Sequence, residues 1–172
     1  MKRTGAKWPA VFAALAVVAG LSWFVYHSQQ ATITMRELKA HLDADGLRLG
    51  MTEDEVTKLF GEGRHIQGFG DYGREYRNLE LLVGFSRDPG SGLYGKVAQL
   101  SFSNSRYSIF GVRVGVGLEE ARSRIASAGF RRSADDPDLF RSGEWVIALR
   151  GRDKVESVLI RLADRDTRDK SN

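Results

Sequence analysis

The chain has 172 residues, 42% hydrophobic and 28% charged, a composition that folds and is long enough for one ordinary domain or two very small ones. It contains no cysteine, which excludes disulfides, a thiolate zinc site, a thiol nucleophile and a lipid-modified cysteine. Of its 26 basic side chains, Lys2, Arg3 and Lys7 precede the first apolar stretch; the other 23 face 22 acidic ones, so the basic balance does not imply a nucleic-acid partner.

Residues 1–7 read as a short cytoplasmic N-terminus. Trp8 to Tyr26 follows, 19 residues without a charge. As a helix it would extend about 29 Å, close to the thickness of a bilayer's hydrocarbon core. Trp8 at one end, and Trp23 and Tyr26 at the other, suit the lipid–water boundary, and the charges ahead of the stretch put the N-terminus inside. Residues 8–26 are therefore expected to be a single-pass transmembrane signal-anchor whose partner is the lipid bilayer. A cleaved signal peptide is the competing reading, although Ser-Trp-Phe-Val-Tyr-His fits a peptidase's small pockets poorly. Either way the rest of the chain is expected outside the cytoplasm, in the cell envelope.

Residues 27–46 read as a linker in which Met35, Leu38 and Leu42 give a short amphipathic helix. Beyond it the chain repeats itself. Leu47 to Val56 matches Val112 to Ala121 at an offset of 65: an extended segment, a glycine turn, then a helix opened by acidic residues. Thr52 with Glu55 makes a capping box, and the two helices are expected to end near Gly61 and at Gly129. Leu79–Phe85 and Glu144–Arg150 match at the same offset, and Lys96–Phe102 matches Lys154–Ile160 at 58. The difference is an insertion, Arg87 to Gly95, rich in glycine and proline. With a weak strand near Tyr76 or Phe140, each copy reads helix, strand, strand, turn, strand. The expected fold is thus α+β: a transmembrane helix, then two tandem helix-plus-antiparallel-strand units, residues 47–106 and 107–163, forming one layered domain. Residues 164–172 read as a disordered charged tail.

Gly50 to Val56 and Val97 to Phe102 give the chain its likeness to known proteins. Over about residues 47–162 the pattern resembles the SmpA/OmlA (BamE-like) domain and the duplicated modules of the β-lactamase inhibitor protein. The resemblance implies an exported binding module, often a lipoprotein in that family, that holds another protein with its sheet face or loops. This chain lacks the family's lipid-accepting cysteine.

No residues stand out for catalysis. His27, His41 and His65 are scattered, with no second ligand at helical spacing, and no serine-nucleophile motif occurs. Gly68 to Gly73 precedes a strand, unlike a phosphate loop, and Asp135, Asp136 and Asp138 lack the alternate spacing of a calcium loop. No enzyme activity, metal or cofactor is implied. What remains is binding: β-strands apolar on both faces, Leu81 beside Leu82 and Trp145 to Leu149 without a break, with aromatic side chains in nearby loops. Leu81, Tyr94, Tyr107, Phe110 and Trp145 are the candidate partner-binding residues. The expected function is a membrane-anchored extracytoplasmic protein-binding module whose partner is another envelope protein. The alternative is a sensor or carrier for a small ligand, held between the two repeats near Arg74, Tyr76 and Trp145.

Overall fold

A computed structural model describes residues 32–67 and 72–163. Three helices form: α1 (Met35–His41), α2 (Glu53–Phe60) and α3 (Leu118–Ser127). Two start with a capping box. The Thr34 hydroxyl accepts from the Glu37 amide while the Glu37 carboxylate accepts from the Thr34 amide, and Thr52 and Glu55 repeat the exchange. Gly61 caps α2 at φ 82°, a left-handed conformation that glycine adopts without strain.

The strands are β1 (Leu42–Asp43), β2 (Arg64–Ile66), β3 (Gly73–Tyr76), β4 (Leu81–Phe85), β5 (Val97–Phe102), β6 (Ser108–Ile109), β7 (Arg131–Arg132), β8 (Leu139–Ser142), β9 (Trp145–Arg150) and β10 (Ser157–Leu162). β1 and β6 form a small antiparallel pair. The other eight form one antiparallel sheet in the order β2-β3-β4-β5-β10-β9-β8-β7. That order is two runs of four strands, one per sequence repeat, joined where β5 pairs with β10. The two copies therefore share one sheet.

The hydrogen bonds repeat as well. Gly50 donates to Val97 O and Gly115 to Val155 O, both at 2.8 Å. Val97 returns a bond to Met51 O, and Val155 one to Val116 O. Lys96 bridges to Thr52 as Lys154 does to Gly117. These pairs keep the offsets of 65 and 58 found in the sequence. In β4 and β9 the offset of 65 fails. It would match Leu81 to Val146, but Leu81 and Val83 point to the core, as do Trp145, Ile147 and Leu149. A shift of one residue reverses a strand's faces, so the inward sets correspond only at an even offset.

Cross-strand partners assign every residue of the large sheet to a face. Val83, Leu100, Ile160, Ile147 and Phe140 lie in register on one side. They join Leu38, Val56, Leu118, Ala121 and Ile125 from the three helices in one core. All three helices thus cover the same side of the sheet.

The expectation of a transmembrane helix at the head of the fold is corrected here. Over the described residues the fold is α+β, with three helices and a large antiparallel sheet. Among the described residues no helix is long and apolar enough to cross a membrane: the longest has ten residues, against the roughly 20 needed. The segment 8–26 with Trp8, Trp23 and Tyr26, the start of the linker and the tail 164–172 lie outside the described residues.

Candidate functional site

The face of the sheet away from the helices is the candidate site, and register defines it. One row runs Arg64, Glu75, Leu82, Ser101, Leu159, Ala148, Leu139 from β2 across to β8. The next row, two residues along each strand, runs Ile66, Gly73, Gly84, Gln99, Arg161, Val146, Arg141, Arg131 from β2 to β7. Leu82, Leu139 and Leu159 are half-buried. Val146 and Ala148 are almost fully buried yet stand apart from the helix-side core. The face is therefore apolar along one row and basic along part of the other.

Its electrostatics differ between the two halves. In the first copy the Glu75 carboxylate meets Arg64 at 2.5 Å and Arg77 at 3.2 Å. Partial burial opposes ionisation there, but the hydrogen bonds and charges of the two arginines prevail and hold Glu75 below the usual carboxylate range. In the second copy the corresponding outer strand pair sets Arg131 opposite Arg141. A shallow depression of about 340 Å³ ends the apolar row, lined by Glu75, Arg77, Leu82 and Ser101 among others.

The helix side carries the densest polar cluster. One oxygen of Glu53, in the first turn of α2, accepts from the Tyr72 hydroxyl at 2.5 Å and from Arg74 Nε at 2.7 Å. Arg74 Nη2 stands 2.6 Å from the same oxygen. His65 packs against Tyr72 with ring centres 4.8 Å apart and the planes tilted by 51°, and Arg87 sits 4.9 Å over the same ring. Burial pushes the Glu53 carboxyl up, but the bonds from Tyr72 and Arg74 prevail and leave it below the usual range. Its hydrogen bond to Glu53, with burial, raises Tyr72. A carboxylate saturated by donors is a poor base, and a phenol with a raised pKa a poor nucleophile. The cluster acts as a tie between α2 and β3. Likewise Asp138 of the acidic turn is held by Arg122 at 2.7 Å.

The residues singled out in the sequence do not converge. Leu81, Tyr107 and Trp145 lie in the core. Phe110 is half-buried between His41 and Phe130, with ring centres at 4.9 and 5.8 Å. Tyr94, in the hairpin insertion, is 63% exposed. For the small-ligand alternative, Arg74 is engaged by Glu53, the Tyr76 hydroxyl donates to Gly61 O at 3.2 Å, and Trp145 pairs with Leu162 near the far end of the sheet. β5 pairs directly with β10 where the repeats join, and a depression of about 280 Å³ beside Trp145 is lined by Ser91 and Leu93 of the first unit and Glu144 and Leu162 of the second. Sequence reading missed Arg131, Arg141, Arg161, Leu139 and Leu159. Their signal was parity, since Arg141 alternates with Phe140 and Arg161 with Ile160, but using it requires the register.

Compared with protein families, characterised proteins and solved structures, the chain matches none of them.

Proposed function

We propose that this chain is a non-catalytic binding module of the cell envelope, acting outside the cytoplasm, and that the sheet face opposite the described helices docks another protein. One observation carries the reading: among the described residues eight strands share a sheet whose three helices all lie on one side, while the other side offers Leu82, Leu139 and Leu159 beside arginines. An antiparallel sheet can leave one face to water, but that face is then polar. Here a half-buried apolar row crosses it. Seven inter-strand steps make the face roughly 34 Å wide, comparable with the span of a standard interface patch of about 800 Å². Arginine and apolar side chains together are what such patches favour. The likeness of Gly50–Val56 and Val97–Phe102 to exported binding modules adds support. So does the uncharged stretch behind Lys2, Arg3 and Lys7, for the extracytoplasmic setting.

The test is in-cell photo-crosslinking, with the reactive side chain at Leu82, Leu159 or Tyr94 in turn and at exposed Lys58 of α2 as control. A discrete protein adduct from Leu82 or Leu159, absent from Lys58, is expected. Silence at both leucines at native expression refutes the docking face.

A further inference from the structure

The two rims of the sheet, where its hairpins turn, are built differently. Register sets Phe85, Leu162, Trp145 and Ser142 at one rim. The β4–β5 hairpin, Arg87 to Gly95, closes that rim, and the β9–β10 turn closes the opposite one. Carried back two residues, the offset of 58 sets Tyr94 of the first hairpin against Arg152 of the second. Around Arg152 stand Asp153, Lys154 and Glu156, lining a depression of about 630 Å³, a surface suited to water. Tyr94 instead shows water an aromatic ring, 63% exposed, and the backbone holds it there. Leu93 before it is buried, and Gly95 after it donates to Ser86 O at 2.8 Å.

The chain enters the domain at the rim of Tyr94. The Ile33 amide donates to the Ser142 hydroxyl at 3.0 Å, and a Cβ at Gly143 would overlap the Thr32 methyl. Thr32 and Ile33 line the depression beside Trp145 together with Ser91 and Leu93 of the hairpin. Five residues, His27 to Ala31, separate Thr32 from Tyr26, the last residue of the uncharged stretch. At full extension that connection reaches at most roughly 20 Å. Any lipid that the stretch enters therefore lies within that distance of this rim.

We infer that this rim rests on a lipid surface, with Tyr94 in the headgroup layer. The inference rests on the envelope reading above and adds a second contact to the docking face. A tyrosine has an apolar body and a polar tip, which suits the lipid–water boundary. Exposed Glu144 at the same rim is compatible with it, because the headgroup layer is itself polar. That layer is only about 5–8 Å deep on each side of the hydrocarbon. Strands β9 and β10, of six residues each, hold Arg152 about 20 Å from the rim, well outside it. A sheet standing on its rim also keeps both faces clear of lipid, so the row of Leu82, Leu139 and Leu159 can still meet a protein.

The experiment uses the full chain reconstituted in vesicles of phosphatidylcholine and phosphatidylglycerol, with a fraction of the lipid nitroxide-labelled at the headgroup. The chain has no cysteine, so Tyr94→Cys or Arg152→Cys carries a fluorophore at a single site. Loss of fluorescence to the nitroxide is expected at position 94 and not at 152. Gly90→Cys, exposed in the same hairpin, keeps the tyrosine in place and should also be quenched. Adding Tyr94→Glu to it should relieve that quenching, and no relief removes Tyr94 as the contact. Equal quenching at 94 and 152, or none at 94 and 90 while the chain floats with the vesicles, overturns the inference and leaves the docking face untouched. A chain that does not float with the vesicles removes the lipid setting, and this inference with it. A discrete protein adduct from a photo-reactive side chain at Tyr94 in cells overturns it in favour of a protein at this rim.

Discussion

Tyr107 is fully buried, its ring edge-on to Phe102 with centres 6.0 Å apart, and its hydroxyl has no hydrogen-bond partner among the described residues. Replacing it with phenylalanine keeps the packing and removes an unsatisfied polar group. A buried hydroxyl without a partner costs about 1–3 kcal/mol. Tyr107→Phe should therefore stabilise the fold by roughly 1 kcal/mol, raising the thermal midpoint by about 2–6 °C for a domain of this size. Tyr107→Ala, which also empties the ring's volume, should cost about 3–5 kcal/mol. The hydroxyl adds a pH signature. Burial, then the nearby Asp45 charge, raises its pKa in the folded state. The folded chain thus holds this proton more tightly than the unfolded one. The associated stability is complete below the ordinary tyrosine value near 10 and is lost as pH rises through the folded value. Urea unfolding followed by circular dichroism at neutral pH and above pH 10 measures both effects, and the phenylalanine variant should lose less stability at alkaline pH. If Tyr107→Phe instead destabilises by 1 kcal/mol or so, the hydroxyl is bonded in solution, with Asp45 the first candidate, and the orphan-group argument is wrong.

Two further substitutions test the architecture. Glu53→Gln removes the charge that Tyr72 and Arg74 share, and should cost about 1 kcal/mol at neutral pH, since both ionic partners keep some exposure. Because the folded Glu53 pKa is lowered, its contribution is present above the unfolded value and lost as pH falls through the folded one. Thermal midpoints from pH 7 to pH 3 should fall less in the variant, and parallel curves would sink the idea. Gly63 has φ 63° and an added Cβ would stand 2.8 Å from the Tyr76 ring, whereas at Gly61, φ 82°, nothing lies within 4 Å. Gly63→Ala should therefore lose about 1–3 kcal/mol, clearly more than Gly61→Ala. Equal losses would mean that the ring moves aside freely.

Much of the scaffold was legible because local signals act within one turn. Thr52 with Glu55, and Gly61 after Phe60, bound α2 without help from the rest of the chain. The repeat was legible for the same reason, since Gly50 and Gly115 open matching turns. Which strand residues face the helices was not, because that depends on register, and register is set by pairing between segments far apart in sequence. Leu81 and Trp145 read as exposed anchors because the strands around them are apolar throughout. Apolarity on both faces indicates that both are used, not which face holds which residue. Tyr107 and Phe110 lie around the β6 turn, and the β1–β6 pairing that packs them inward joins Leu42 to Ile109, 67 positions apart.

The same logic explains why the basic row was invisible as a patch. Arg131, Arg141 and Arg161 lie in three segments, each flanked by residues that balance its charge or belong to the core. Arg141 follows Phe140, which is fully buried, and precedes Ser142, which accepts a hydrogen bond from the Ile33 amide on the helix side. Only the two-residue turn at Gly143 and Glu144 fixes that parity, by setting Ser142 against Trp145 and so Arg141 against Val146. Once it is fixed, the two copies are no longer equivalent. The pairing geometry that keeps Arg64 and Glu75 together in one half forces Arg131 and Arg141 together in the other. The two edges differ in length and sequence, and where Glu75 faces Arg64 in one, Arg141 faces Arg131 in the other. Whether an edge pair holds an ion pair or two like charges therefore depends on one position of the inner strand, Glu75 or Arg141, and not on the pairing geometry.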